Sequence, residues 1–281
     1  MKLITWNVQR AGGAHGDYSL ERLVADLQRS ADFDVLCLQE VSAGYTDLPG
    51  SDGANQFVQL ARLLGGYTPV AGVATDVLGE DGQRLLFGNM IFSRYPVLQV
   101  LRHALPWPVD AAVMSMQRGV IETTLSAPLG LVRVSTVHLE HFSLLQRQAQ
   151  VQRLRDLHRD ASLHAGAPRP GAPRNGPFCA VPRAAPALLA GDFNFLPDSD
   201  EYHDLLAPCE PAVQPYRDAW TLRHPLAAHA PTAGLHDAQV APFTVDFIFA
   251  SAGLASRVRS VRVMAEVGGS GHQPVLIDLD C

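Results

Sequence analysis

Leu188-Leu189-Ala190-Gly191-Asp192-Phe193-Asn194 is the stretch on which the reading of this chain turns. A short apolar run that stops at a turn signal suits a buried strand. Gly-Asp at a strand end is also ordinary turn chemistry, so the segment alone says only that Asp192 and Asn194 stand at such an end. The same design recurs at five other places: Trp6-Asn7, Gln39-Glu40, Val137-His138-Leu139-Glu140, Val245-Asp246-Phe247-Ile248-Phe249 and Gly271-His272-Gln273-Pro274. Asn7, Glu40, His138 and Asp192 fall just past the C-terminal ends of expected strands. Asp246 and His272 fall near the starts of theirs. If the last two strands run antiparallel to the other four, all six islands meet at one rim of a sheet scaffold.

Outward from these islands, strands are expected near 2–8, 34–39, 67–73, 88–93, 97–103, 117–126, 130–138, 186–191, 243–250, 256–265 and 273–279. Leu20, Leu23, Val24 and Leu27 recur at helical spacing within 18–30. Further helices are expected near 54–65 and 142–161, and a hairpin turn around Ala127-Pro128-Leu129-Gly130. Residues 165–186 are rich in Pro, Gly, Ala and Arg and read as a solvated loop rather than a second domain. One domain spanning 1–281 is the expectation. Asp218-Ala219-Trp220 reads as structural, a core tryptophan beside a capping aspartate.

Hydrophobic residues make up 47% of the chain and charged residues 18%, which suits a folded core and excludes a disordered chain. No run of about 18 apolar residues is present to span a membrane. The opening Met-Lys-Leu-Ile-Thr-Trp-Asn lacks the long apolar run of a secretory signal, so a cytoplasmic location is expected. Cys37, Cys179, Cys209 and Cys281 form no CxxC pair that would suggest zinc or redox chemistry. The net charge is −6 and Lys2 is the single lysine, which disfavours tight non-specific binding to duplex DNA. No basic stripe, base-stacking pattern or exposed segment for lipid docking is evident, and no obligate protein partner.

The residue types suit hydrolysis of a phosphate ester. Glu40 is a hard oxygen ligand, suited to Mg²⁺ or Mn²⁺ rather than zinc. Such a cation neutralises phosphoryl charge and orients or acidifies water. Asp192 can hold or deprotonate the attacking water, with Asn194 fixing its direction. His272 can donate to a phosphoryl oxygen while Asp246 holds its imidazole in one tautomer, the logic of hydrolytic triads. His138 can donate to phosphate or assist the leaving group. Each residue also has a plainer reading: Asn7 as a turn residue, Glu40 as a surface charge, His272 as a structural histidine, Arg118 as a partner for an exposed carboxylate. His138 and His141 form a His-x-x-His pair, but no third ligand has zinc spacing.

The order Trp-Asn, Gln-Glu, Gly-Asn-Met-Ile-Phe-Ser-Arg (88–94), Thr-Val-His-Leu-Glu (136–140), Gly-Asp-Phe-Asn, Val-Asp-Phe-Ile-Phe, His-x-Pro resembles the endonuclease/exonuclease/phosphatase superfamily, whose members share the deoxyribonuclease I-like fold. The resemblance runs over residues 3–279. It implies a four-layer α-β-β-α sandwich with two mixed β-sheets, and a Mg²⁺-dependent phosphodiesterase or nuclease in which Mn²⁺ can substitute. Asn7 and Glu40 match the metal-site positions, with Asn7 also near substrate phosphate. Asp192 and Asn194 match the pair that positions the nucleophile. Asp246 and His272 match the Asp–His pair, His138 a phosphate-facing histidine, and Arg118 a substrate-phosphate arginine.

Two positions depart from the family pattern. The last motif usually reads Ser-Asp-His, and here it is Ser270-Gly271-His272; Gln9 stands where some branches carry an acidic ligand. Metal count is therefore left open between one and two. Three functions compete: a phosphodiesterase or nuclease, a phosphomonoesterase or lipid-headgroup phosphodiesterase, and a binding module that has lost turnover through Gly271. Retention of Glu40, His138, Asp192, Asn194, Asp246 and His272 together argues against the third, although a fold alone does not fix a function.

Overall fold

β1 (Lys2–Asn7) is buried on both faces and sets the frame. Its even residues Ile4 and Trp6 pack with helices, and Leu3 packs toward a second sheet. The computed structural model describes residues 1–11, 19–48, 51–167, 176–179, 181–237 and 239–281. The remaining strands are β2 (Val35–Ala43), β3 (Thr68–Leu78), β4 (Arg84–Ser93), β5 (Val97–Ala104), β6 (Gly119–Ala127), β7 (Gly130–His138), β8 (Ala187–Asp192), β9 (Tyr216–Asp218), β10 (Asp246–Ser251), β11 (Val258–Val263) and β12 (Val275–Leu279). The helices are α1 (Leu20–Ser30), α2 (Gln56–Leu63), α3 (Leu144–Gly166), α4 (Asp200–Leu206), α5 (Ala219–Arg223) and α6 (Ala252–Ala255).

Two six-stranded sheets result, in the orders β11-β12-β1-β2-β4-β3 and β5-β6-β7-β8-β10-β9. Both are mixed: β1 pairs parallel with β2 and antiparallel with β12, while β8 pairs parallel with β7 and antiparallel with β10. The sheets pack face to face through Leu3, Val35, Cys37, Val134, Leu188 and Ile248. Leu23, Leu27 and Leu60 of α1 and α2 cover the outer face of the first sheet, against Trp6, Leu36 and Phe92. Leu154, Leu157, Tyr202 and Leu205 of α3 and α4 cover the second, against Val137, Phe247 and Phe249. The order helix, sheet, sheet, helix is the expected four-layer sandwich.

Strand alternation explains why polar residues collect at one rim. Leu188 and Ala190 of β8 face the other sheet, so Asp192 does too. The same parity sends Asn7, His138 and Asp246 into the space between the sheets. The expected antiparallel course of β10 and β12 brings their first residues to the ends of β1 and β8.

Several elements differ from expectation. β2 does not stop at Gln39 but runs to Ala43, with a bulge between Leu38 and Val41 in its pairing with β4. The β3–β4 hairpin is longer at its turn, and α3 continues to Gly166. The strand expected from 243 begins at Asp246. α4, β9 and α5 were not expected, because elements of three to seven residues carry too little periodicity. Of the 165–186 stretch, 168–175 and 180 lie outside the described residues. No helix among the described residues is long and apolar enough to cross a membrane.

Candidate active site

Asp192 sits at the centre of the rim. In the sheet register it lies opposite Asp246 on one side and His138 on the other. Gly191 before it has φ 148°, and a Cβ there would stand 2.0 Å from the Val137 carbonyl oxygen. Only glycine lets β8 approach β7 this closely and still deliver Asp192 to the rim. The Asp192 carboxylate accepts the Asn194 N–H at 3.0 Å and one Asn7 Nδ2–H at 2.9 Å. Asn7 Nδ2 also reaches Glu40 Oε1 at 3.0 Å, so one amide group bridges two carboxylates. Asn7 Oδ1 accepts the Gln9 N–H at 3.0 Å, which fixes the orientation of the amide.

Glu40 owes its aim to the β2 bulge. Regular alternation would turn it toward the helices, as Leu36 and Leu38 are turned. Its φ of 58° re-aims the side chain to the rim. Arg10 pairs with Glu40 Oε2. Gln9 and Arg10 are both left-handed, with φ of 43° and 62°.

His272 Nδ1 lies 2.8 Å from Asp246 Oδ2. The same oxygen accepts the Thr232 hydroxyl at 2.7 Å, and Thr232 Oγ1 in turn accepts the backbone N–H groups of Val245 and Asp246. Thr232 was missed in the sequence because nothing local marks it; bridges from Ala233 to Phe243 and to His272 bring it in. Trp6 Nε1 donates to the His272 carbonyl, and Ser270 Oγ to the Asn7 carbonyl, so the first and last islands are tied directly. Asp246 Oδ1 is buried without a hydrogen-bond partner in the protein.

Arg118 donates from Nε to Glu140 Oε2 at 3.3 Å. Glu140 is fully buried; its Oε1 also accepts the N–H groups of His141 and Phe142. The island containing Glu140 was noticed in the sequence, but not this role in holding Arg118. Arg118 Nη1 and His138 Nδ1 are buried donors or acceptors with no protein partner. Asn194 is left-handed, with φ 51°; its Oδ1 meets His141 Nδ1 at 2.9 Å and its Nδ2 donates to the Leu139 carbonyl. His138 and His141 thus serve different neighbours, and no described third ligand joins them in a zinc-like set.

Burial, and then the neighbouring Asp246 carboxylate, raise the Asp192 carboxyl to about 6. Burial alone would lower His272, but the charge and hydrogen bond of Asp246 outweigh it and raise the imidazole to about 10. Burial, and then Arg118, hold His138 well below 6.5, so it is neutral. Arg118, His138, Asp192 and His272 line a cleft of about 490 Å³, whose walls include Tyr45, Phe87, Met116, Phe142 and Phe243.

The donor chemistry fits a hard divalent cation. Glu40 offers carboxylate oxygens to the cleft, and Asn7 Nδ2 ties that carboxylate to Asp192 beside it. Oxygen donors predominate and no thiolate is present, a set that suits Mg²⁺ or Mn²⁺.

The sequence pattern of the Endonuclease/Exonuclease/phosphatase family matches residues 4–267. No curated protein matches the chain. Among solved structures, it is similar to an endonuclease/exonuclease/phosphatase from Beutenbergia cavernae, with 23% identity and a TM-score of 0.69 over 99% of this chain and 71% of the other. It is also similar to a mannosyl-6-phosphatase from Bacteroides thetaiotaomicron, with 18% identity and a TM-score of 0.68 over the whole of both chains. A 3' phosphatase from Neisseria, solved with a product DNA hairpin, matches at 20% identity and a TM-score of 0.60 over the whole of both chains. The fold is the deoxyribonuclease I-like fold, and the chain belongs to the endonuclease/exonuclease/phosphatase family.

Proposed function

We propose that this chain hydrolyses phosphoesters by attack of an Asp192-held water on phosphorus, with a divalent cation required. The observation that carries the reading is a pair of buried groups without protein partners, Arg118 Nη1 and His138 Nδ1, on the wall of a cleft that also holds Asp192 and His272. Leaving such groups unsatisfied is costly, and a phosphoryl group supplies acceptors for both a guanidinium and an imidazole N–H.

Asp192, raised to about 6, is suited to take a proton from water near neutral pH, since a general base works best with a pKa close to the operating pH. Asn7 and the Asn194 N–H hold its carboxylate in place. His272, kept protonated by Asp246, donates to a phosphoryl oxygen, and neutral His138 donates to another or to the leaving-group oxygen. Arg118 binds the phosphate, held in place by Glu140. Glu40 would hold Mg²⁺, or Mn²⁺ in its place, with Asn7 orienting the carboxylate. The bound cation supplies neutralisation of phosphoryl charge.

A phosphodiester, including a nucleic acid, is the preferred substrate of this reading. The names of two structurally similar proteins, a mannosyl-6-phosphatase and a 3' phosphatase, favour phosphomonoesters as the second. A screen of single- and double-stranded nucleic acids, bis-aryl phosphodiesters, phosphomonoesters and sphingomyelin, each with Mg²⁺, Mn²⁺ or EDTA, separates them. Turnover of any member that EDTA abolishes supports the reading; undiminished turnover in EDTA sinks the metal requirement.

A further inference from the structure

His141 lines the cleft and is exposed at its mouth, yet it is fastened through both ring and backbone. Its ring Nδ1 lies 2.9 Å from Asn194 Oδ1. The Asn194 amide has one orientation, because its Nδ2 donates to the Leu139 carbonyl at 3.0 Å. Its Oδ1 only accepts, so His141 Nδ1 carries the proton. The backbone N–H of His141 donates to Glu140 Oε1 at 2.9 Å, and its carbonyl accepts from Arg147 Nη1 at 3.1 Å. Phe142 meets the ring edge-on, with centroids 4.6 Å apart. An exposed imidazole is ordinarily free to turn. This one is fixed, with Nδ1 occupied and Nε2 left as the atom that exchanges a proton. The fastenings lead to groups already placed at the reacting phosphate: Glu140 also holds Arg118, and the Asn194 N–H holds Asp192.

We propose that His141, through Nε2, protonates the leaving-group oxygen of the phosphoester. The proposal rests on the hydrolase reading above. An alcohol leaves phosphorus poorly as an alkoxide, so the departing oxygen needs a proton from a positioned acid. The other two imidazoles of the cleft are poor sources. Burial first, then Arg118, His272 and His141, hold His138 neutral; its N–H offers a hydrogen bond and not a proton. His272, raised to about 10 and bound to Asp246, keeps its proton as a fixed donor to a phosphoryl oxygen. Of the three, His141 is the exposed one, and solvent reloads an exposed imidazole after each turnover. In the step, the Nε2–H proton passes to the ester oxygen as the P–O bond breaks and its electron pair goes to that oxygen. The water oxygen forms the new P–O bond, and Asp192 takes the proton that the water sheds. His141 is left neutral with its remaining proton on Nδ1, where Asn194 keeps it. Asp192 then releases a proton to solvent, and solvent returns one to Nε2. One side chain, Asn194, thus touches both the acid at the leaving group and the base at the water.

The test compares a 4-nitrophenyl ester, whose phenolate leaves without a proton, with the benzyl ester of the same phosphate, whose alkoxide does not. His141→Ala is expected to lower kcat on the benzyl ester at least about 100-fold, and on the nitrophenyl ester at least about tenfold less. His141→Asn separates proton donation from support of Asn194. An asparagine amide stands where imidazole Nδ1 stands and donates to Asn194 Oδ1, but it has nothing at the place of Nε2. It is expected to be as impaired as His141→Ala on the benzyl ester, with an unchanged melting temperature. If His141→Ala does not fold, His141→Asn gives the ester comparison by itself. Long-range ¹H–¹⁵N correlation spectra in EDTA, which need no turnover, are expected to show neutral His141 protonated at Nδ1; the opposite tautomer overturns the proposal. Equal losses on the two esters, or rescue by asparagine, assign His141 to the support of Asn194 and overturn the proposal while the hydrolase reading stands. A wild type that turns over no phosphoester overturns both.

Discussion

Gln9 Oε1 accepts the backbone N–H of Gly271 at 2.7 Å, so the two positions where this chain lacks an acidic residue of its family pattern close on each other. A Cβ at position 271 would lie 2.8 Å from that oxygen, and the end of a glutamine side chain can rotate away. Gly271→Asp is therefore expected to fold, displace Gln9 and add an anionic oxygen near Glu40. Calorimetric titration should show Mn²⁺ binding tighten by about tenfold or more, since charges about 4 Å apart at an effective dielectric of 20 interact by roughly 4 kcal/mol. Equal affinity in the two proteins would show that position 271 lies outside the cation's reach.

Arg10 pairs with the Glu40 carboxylate, so a protein cation already sits where the metal charge is proposed. Removing it should favour the metal. Arg10→Ala is expected to bind Mn²⁺ about tenfold more tightly without substrate, while Glu40→Gln abolishes that gain. Weaker binding in Arg10→Ala would assign Arg10 to the support of the metal site instead of competition with it.

Asp246, His272 and Thr232 form one hydrogen-bonded unit, and groups that act as a unit lose activity non-additively. Asp246→Asn and His272→Ala should each lower kcat by about 10²-fold or more, and the double variant should be little worse than either. Thr232→Val should lower it less, because Asp246 keeps its histidine. Fully multiplicative losses in proteins with unchanged melting temperature would show that the two residues work separately.

The catalytic islands were readable because each places a polar residue at the end of an apolar run. The parity of Leu188, Ala190 and Asp192 fixes a face without any knowledge of the partner strand. Glu40 was readable as a residue but not in its aim, which depends on a bulge with positive φ. Thr232, Arg10 and the buried Glu140 contact with Arg118 became visible only in three dimensions, since loops and not periodic elements bring them to the rim.

His158 gives the fold its own pH dependence. Its Nδ1 meets Arg133 Nη2 at 2.6 Å and its Nε2 meets the Gln214 carbonyl at 2.7 Å, which requires a neutral ring that accepts at Nδ1 and donates at Nε2. Burial lowers its pKa from 6.5 to about 4. The unfolded chain therefore binds more protons between these values, and stability falls as pH drops from 6.5 toward 4. The contribution lost is about 3 kcal/mol at most. Urea midpoints of wild type and His158→Gln across this range should show a shallower slope in the variant; parallel slopes would assign the acid sensitivity to other groups.

Attack on phosphorus by water held at Asp192 leaves an isotopic record. Hydrolysis in ¹⁸O-enriched water, with whichever phosphoester the substrate screen shows to be turned over, tests it most directly. One ¹⁸O is expected in the phosphate-bearing product and none in the released alcohol, at a rate that Asp192→Asn lowers by about 10³-fold or more while the melting temperature holds. Label in the alcohol, or an undiminished rate in Asp192→Asn, would contradict the account.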